Sequence, residues 1–389
     1  MTNKIQEIIQ SIKAVDQSKS HEIQNALDNL TKPRGSLGNL EEVAKKYCLI
    51  TGRLKPARTA VPGMSAVAEM SATPATAAMS AMPAIRNKTI ITMAADHGVA
   101  REGVSAYPQE VTRQMVINFL QGGAGINVLA RHVGARVIVV DMGVAFDFES
   151  FDLESLGLES LSGLVRKKVA YGTKNMLLGP AMSREEAFLS IERGMEVVEE
   201  NWGQGIDLLG IGEMGIGNTT ASSAILSAIT GQPPERVTGR GTGIDEDRYQ
   251  QKIAVIRQAL QKNAPNPDDP LDVLSKVGGF EIGGLTGVIL SAAARHVPVV
   301  IDGFISSAAA LIAVKMAPAI VDYLFAAHRS VEVGHQLMLE YMGLTPLLDL
   351  RLRLGEGTGA ALAMNIIEAG VKILNEMATF DQAHVSREE

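Results

Sequence analysis

Leu208-Leu209-Gly210-Ile211-Gly212-Glu213-Met214-Gly215-Ile216-Gly217-Asn218-Thr219-Thr220 runs from a short apolar strand through a glycine turn into a helix predicted over 221–230. A strand that feeds a helix through a tight turn is one βα unit, and the same pattern recurs on both sides of it. Short β-branched runs at 89–93, 136–141, 206–211, 298–301, 322–325 and 347–350 alternate with helical periodicity from about residue 88 onward. That alternation predicts an α/β fold with a mainly parallel sheet of about six strands. Asp, Gly, His or Glu follow most of these runs, which places polar groups at strand carboxyl ends, where open parallel sheets bind ligands.

Before residue 55 only helix candidates occur, at 3–15, 21–31 and 40–52. The expected organisation is a small helical domain from both chain ends (1–55 with 360–389), an Ala/Met/Pro-rich insertion at 56–87 and a large α/β catalytic domain at 88–359. Prolines at 62, 74 and 83 break any long helix in the insertion, and no chemistry is placed there.

The chain has 389 residues, 46% of them apolar, and a net charge of −7 without a basic block. Nucleic acid and anionic membrane both require a concentrated Lys/Arg surface, so small-molecule chemistry is the expected occupation. A single cysteine, Cys48, excludes an internal disulfide and a thiolate zinc site and suits a reducing, cytoplasmic location. The amphipathic pattern at 1–15 lacks a signal-peptide core. The longest apolar tract, 288–321, is interrupted by Arg295, His296, Asp302 and Lys315 and is expected as buried helix and strand.

Leu354-Gly355-Glu356-Gly357-Thr358-Gly359-Ala360-Ala361 sets one carboxylate inside a glycine turn ahead of an apolar helix at 360–373. A carboxylate gains nothing there as packing, so Glu356 is read as a base aimed into a pocket; a first-turn acid complementing the helix dipole is the simpler alternative. Gly210-x-Gly212-x-x-Gly215 matches the dinucleotide fingerprint formally, but Glu213 would project its charge at the pyrophosphate. Acid and backbone amides in one turn suit a nucleotide monophosphate beside a group that loses a proton. A tight turn capped by Asn218 or Thr219 explains the same residues structurally.

Gly239-Arg240-Gly241-Thr242-Gly243-Ile244-Asp245, with Lys252 on the following helix, could hold a phosphate, or be a simple turn ahead of a solvated lysine. Asp96-His97-Gly98-Val99 puts a histidine at a strand end, titrating or merely hydrogen-bonded. The run from Gly103 to Gln114 offers small, aromatic and amide side chains to a flat ring, and otherwise leads into a helix. Ile301-Asp302-Gly303 and His328-Arg329-Ser330 are strand-end turns suited to ribose or phosphate, although Ser306 and Ser330 could cap helices. No GxxxxGK[ST] segment, HExxH or Cys/His cluster occurs, so no metal site or cofactor is signalled. The turn after Val300-Ile301 lacks the adjacent acidic pair expected for magnesium-bound phosphoribosyl pyrophosphate.

Lys32-Pro33-Arg34-Gly35-Ser36-Leu37-Gly38, Asp96-His97-Gly98-Val99, Gly212-Glu213-Met214-Gly215-Ile216-Gly217-Asn218-Thr219-Thr220, Gly239-Arg240-Gly241-Thr242-Gly243 and Leu354-Gly355-Glu356-Gly357-Thr358-Gly359 together resemble one family. It is the nicotinate-nucleotide:dimethylbenzimidazole phosphoribosyltransferases of cobalamin lower-ligand activation. The resemblance spans about 30–370, departing at the Ala/Met/Pro-rich stretch. It implies a doubly wound sheet, a homodimer, and phosphoribosyl transfer from nicotinate mononucleotide to dimethylbenzimidazole. By resemblance Glu356 is the base, with Glu213 and Lys252 as supporting catalytic residues. Met214 and Gly215 would lie near the donor nucleotide and Gly241 near its phosphate. Asp302, Gly303 and Ser330 would contact ribose or phosphate, and Gln114 and Leu354 would line the base pocket.

Two other functions use the same residues. A nicotinamide-dependent dehydrogenase would take Gly210 to Gly215 as its pyrophosphate loop and bind NADH. A non-enzymatic protein that sequesters benzimidazoles or nucleotides would bind the ring without releasing nicotinate, leaving two buried carboxylates without a purpose.

Overall fold

The computed structural model describes residues 3–54, 83–148, 163–241 and 243–387. Residues 56–82 of the Ala/Met/Pro-rich stretch, and Thr242 of the second glycine loop, lie outside them. Two compact units divide the chain, one comprising Met1–Lys13 with Asn87–Met364 and the other Ala14–Arg86 with Asn365–Glu389. The first helix, Asn3–Ser11, thus falls with the larger unit.

The larger unit is built on one sheet of seven strands, all parallel, in the order β3-β2-β1-β4-β5-β6-β7. The strands are β1 Lys88–Ala95, β2 Ala135–Gly143, β3 Leu164–Arg166, β4 Leu208–Met214, β5 Val299–Ile301, β6 Leu324–His328 and β7 Pro346–Leu348. Six match the runs expected from sequence; β3 is the addition, three residues at the sheet edge against 139–141 of β2, too short to show a period of its own. β1 lies inside the sheet, between β2 and β4, because Thr89, Ile90, Ile91 and Thr92 suit a pleat buried on both faces, and all of its residues after Lys88 are buried.

The chain leaves β1 for β2 and β3 on one side and returns to β4 on the other. Crevices form at such a reversal, outside the carboxyl ends of the two strands. Register places Thr92 beside Gly212 and Met93 beside Glu213, while Ile211 pairs with Ile301, one residue before Asp302. Three strand ends therefore deliver their polar residues to one level. The apolar tract at 288–321 resolves into the end of helix Phe280–Ala294, β5 and helix Phe304–Met316. Among the described residues no helix is long and apolar enough to cross a membrane.

The smaller unit joins helices Ser20–Asp28 and Asn39–Thr51 to the end of Thr358–Glu376. Ile23, Leu27, Leu30, Ala44, Cys48, Leu54 and Leu374 form its core. Lys32 Nζ lies 2.8 Å from Glu41 Oε1, both buried, and that oxygen also accepts from Leu37 N–H at 3.1 Å. The Lys32–Gly38 loop is thereby tied to the first turn of the next helix. Burial pushes the Cys48 thiol up to about 12, which leaves it inert as a nucleophile.

Candidate active site

Gly355, Glu356 and Gly357 take φ of 84°, 64° and 95° in succession. Glycine does so freely, but for Glu356 a left-handed backbone costs about 1–2 kcal/mol, so the surroundings must hold it. They do so through the sheet: Glu356 N–H donates to Glu213 O at 3.2 Å, and Thr92 Oγ1 donates to Glu356 O at 2.9 Å. Gly212 lies flush against the Glu356–Gly357 peptide, where any Cβ would overlap the Glu356 carbonyl.

The turn aims the Glu356 carboxylate across to another element. Its Oε2 accepts from Ile126 N–H at 3.0 Å, in the first turn of helix Gly125–Val133. Its Oε1 has no hydrogen bond among the described residues. Burial raises the pKa of this carboxyl above the usual glutamate range, the Ile126 amide opposes the rise, and the charge of Asp302 adds to it. Leu354 lies over the same helix start, its Cδ2 2.9 Å from where a Gly125 Cβ would stand, and is 60% exposed. A base with one anchored and one free oxygen, beside an exposed apolar side chain, can receive a flat ring and take a proton from it.

The dipole of helix Thr358–Glu376 is answered by Asp302 rather than Glu356. Asp302 Oδ1 accepts from Ala360 N–H at 3.0 Å and Oδ2 from Gly357 N–H at 3.2 Å, and His328 Nε2 stands 3.7 Å from Oδ1. With 1% exposure and both oxygens occupied, its carboxylate is a buttress under the Glu356 turn.

Glu213, one residue before the end of β4, is buried, with Oε2 accepting from Asn218 Nδ2. Burial, then the charges of Glu281 and Asp302, push its carboxyl well above the glutamate range. The folded chain therefore binds a proton there more readily than the unfolded chain does. Stability falls as pH rises from the unfolded glutamate value through the folded one. Glu213→Gln keeps an acceptor for Asn218 and removes the buried charge. Its Tm is expected above wild type at pH 8, with the difference closing near pH 4; equal Tm values at pH 8 in scanning calorimetry would contradict a raised pKa.

Lys252, on helix Glu246–Asn263, is fully buried, with Nζ donating to Thr219 Oγ1 at 2.8 Å and to Gly239 O at 3.3 Å. Burial lowers its pKa to about 8, against the opposing charge of Glu332. Gly241, at φ 53°, lies close enough that a Cβ would stand 3.2 Å from Nζ. A buried ammonium, the Thr219 hydroxyl and the start of helix Asn218–Thr230 converge on one small space. Those are the elements of a phosphate cradle.

Gly210 and Gly212 lie inside β4 and not in a turn after it, so the dinucleotide fingerprint fails on geometry. Met214 ends the strand, and Gly215 to Gly217 form the turn, pinned by Ile216 N–H donating to Thr112 Oγ1 at 3.1 Å. Gly303 is buried near His328, and Ser330 Oγ donates to Leu352 O at 3.2 Å and accepts from Glu332 N–H at 3.3 Å, at the start of helix Val333–Met342. Gln114 is exposed on helix Val111–Gln121 and is not drawn into this cluster by any described contact.

The chain matches the family described as "Phosphoribosyltransferase" over residues 12–69 and 61–385. A nicotinate-nucleotide–dimethylbenzimidazole phosphoribosyltransferase of Citrifermentans bemidjiense is 51% identical over 382 residues, covering 98% of this chain and 99% of that protein. The chain belongs to the nicotinate-nucleotide–dimethylbenzimidazole phosphoribosyltransferase family. A second member, from Chloroflexus aurantiacus, is 53% identical over 98% of each chain. The crystal structure of the Thermus thermophilus family member superposes with a TM-score of 0.82 at 42% identity, over 96% of this chain and 100% of that one.

In this phosphoribosyltransferase the residues missed from sequence are those that act through backbone or position. Ile126 supplies only an amide, Thr92 only a hydroxyl to a carbonyl, and Gly125 only the absence of a side chain. Thr219 offered no sign beyond a possible cap, and Glu332 none at all.

Proposed function

We propose that the chain transfers the phosphoribosyl group of nicotinate mononucleotide to dimethylbenzimidazole, forming α-ribazole 5′-phosphate and nicotinate in cobalamin nucleotide-loop assembly. The observation that carries this is the Glu356 carboxylate, buried in a left-handed turn, held on Oε2 by the Ile126 amide and open on Oε1 beside Leu354.

One ring nitrogen of the base attacks C1′ of the ribose from the face opposite nicotinate. The C1′–N bond to nicotinate breaks, its electron pair stays on the pyridine nitrogen, and the pyridinium leaves as a neutral ring. No acid is needed for that departure. The second nitrogen of the attacking ring becomes acidic as the first forms its bond, and Glu356 takes that proton. Proton removal by a positioned carboxylate contributes about 10²- to 10⁴-fold, and holding both rings against one ribose supplies much of the rest.

Glu213, Met214 and Gly215 lie on the donor side of this scheme, and Lys252 with Gly241 holds its phosphate. Leu354 and Gln114 line the base, and Asp302, Gly303 and Ser330 support the ribose side, Asp302 by holding the turn. Lys252→Gln is expected to raise KM for nicotinate mononucleotide by about tenfold or more, with KM for dimethylbenzimidazole unchanged. In the wild type, kcat/KM for the donor should fall as pH rises past about 8, where the buried lysine loses its charge. Lys252→Arg should abolish that fall, and a wild-type profile flat to pH 10 would remove the lysine from phosphate binding.

Incubation with nicotinate mononucleotide and dimethylbenzimidazole tests the reaction: stoichiometric nicotinate and an α-ribosyl product are expected, and neither forming would refute it. The proposal includes a cytoplasmic homodimer, whose mass sedimentation equilibrium measures.

A further inference from the structure

His97 and Glu281 face each other beneath the glycine turn, and the reaction as written uses neither. His97 follows the end of β1, and Glu281 is the second residue of helix Phe280–Ala294. His97 Nε2 lies 2.6 Å from Glu281 Oε1, with 1% and 0% of the two side chains exposed. Glu281 Oε2 is buried with no hydrogen-bond partner among the described residues. An apolar pair would fill this space without the desolvation of a buried carboxylate, so the ionisable pair is not there for stability.

Three glycines shape the space around it. A Cβ on Gly279 would overlap His97 Cε1 and stand 2.6 Å from Glu281 Oε2. One on Gly215 would overlap the Ala95 carbonyl and stand 3.4 Å from His97 Cδ2, and one on Gly217 would stand 3.1 Å from His97 Cβ. The imidazole thus fills the underside of the Gly215–Gly217 turn, with Gly279 beneath. The same turn is tied at its other side, where Thr112 Oγ1 accepts from Ile216 N–H at 3.1 Å. Glu281 also lies near enough to Glu213 for its charge to act on that carboxyl.

We infer that His97 and Glu281 form a positioning pair for the donor side of the site, fixing the Met214–Gly217 turn against which the phosphoribosyl donor binds. The inference rests on the transferase proposal for the identity of that donor. Glu281 orients the ring, the ring sets the height of Gly215 and Gly217, and the turn sets the backbone amides and Glu213. No described contact joins either side chain to the Glu356 turn or to helix Gly125–Val133, which Ile126 N–H ties together and where the acceptor base is proposed to sit.

The effect should therefore be confined to one substrate. His97→Ala is expected to lower kcat/KM for nicotinate mononucleotide about a hundredfold, and Glu281→Gln, which keeps the hydrogen bond, about tenfold. KM for dimethylbenzimidazole should stay within about twofold in both. Folded variants with donor kcat/KM near wild type, or with equal losses on both substrates, would overturn the pair's positioning role. A second measurement needs no variant: the downfield imidazole N–H resonance of His97 in the wild-type protein. It should shift on adding nicotinate mononucleotide and stay still on adding dimethylbenzimidazole; no shift with saturating nucleotide overturns the inference. A wild-type protein that binds the nucleotide and moves this resonance yet releases no nicotinate would sink the transferase proposal instead.

Discussion

Glu356→Gln is expected to lower kcat by about 10²- to 10⁴-fold while KM for dimethylbenzimidazole changes little. Glutamine keeps an acceptor for the Ile126 amide, so the turn and the ring pocket survive; what is lost is the free carboxylate oxygen proposed to take the proton. The wild type should also show an acidic limb in kcat, with activity rising with pH as the carboxyl deprotonates. Its midpoint is expected above the ordinary glutamate value, because burial and the neighbouring Asp302 charge both favour the protonated form. The variant has no such limb from this residue. Steady-state kinetics between pH 4 and 9 decide the matter, and a variant with more than about a tenth of wild-type kcat would remove Glu356 from the base role.

Gly212→Ala is the second large effect, and it acts without touching a charged group. The new methyl would overlap the Glu356 carbonyl and the Gly357 amide, both backbone, with no flexible side chain to move aside. Either β4 or the Glu356 turn must shift. Overpacking of this kind costs about 1–3 kcal/mol of stability, and a displacement on the order of 1 Å costs about 10²-fold in rate. A lowered Tm together with a kcat loss approaching that of Glu356→Gln is expected. A Gly212→Ala protein with wild-type Tm and turnover would show that the contact between β4 and the turn is not what holds the base.

The two glycine turns were legible in sequence because an acid flanked by glycines ahead of a helix has no packing purpose. Glu213 and Glu356 consequently stood out although 143 residues separate them. The strands were legible for a similar reason, since Thr89-Ile90-Ile91-Thr92 and Arg136 to Val140 are β-branched runs bounded by turns. β3 was not, because three edge residues carry no period. Asp302 was seen as a ligand contact, and its role as the cap beneath Glu356 was not. Its partners are the amides of Gly357 and Ala360, 55 and 58 residues away, and every residue offers such an amide.

Sequence alone determined the alternation of strand and helix, the polar strand ends and the family, because these rest on local periodicity and on motifs contiguous in the chain. Tertiary structure decided which carboxylate is buried, which oxygen of Glu356 is anchored, and that His97 stands on Glu281. Those facts follow from desolvation and from distances between residues remote in the chain, set only when the parallel strands align their ends.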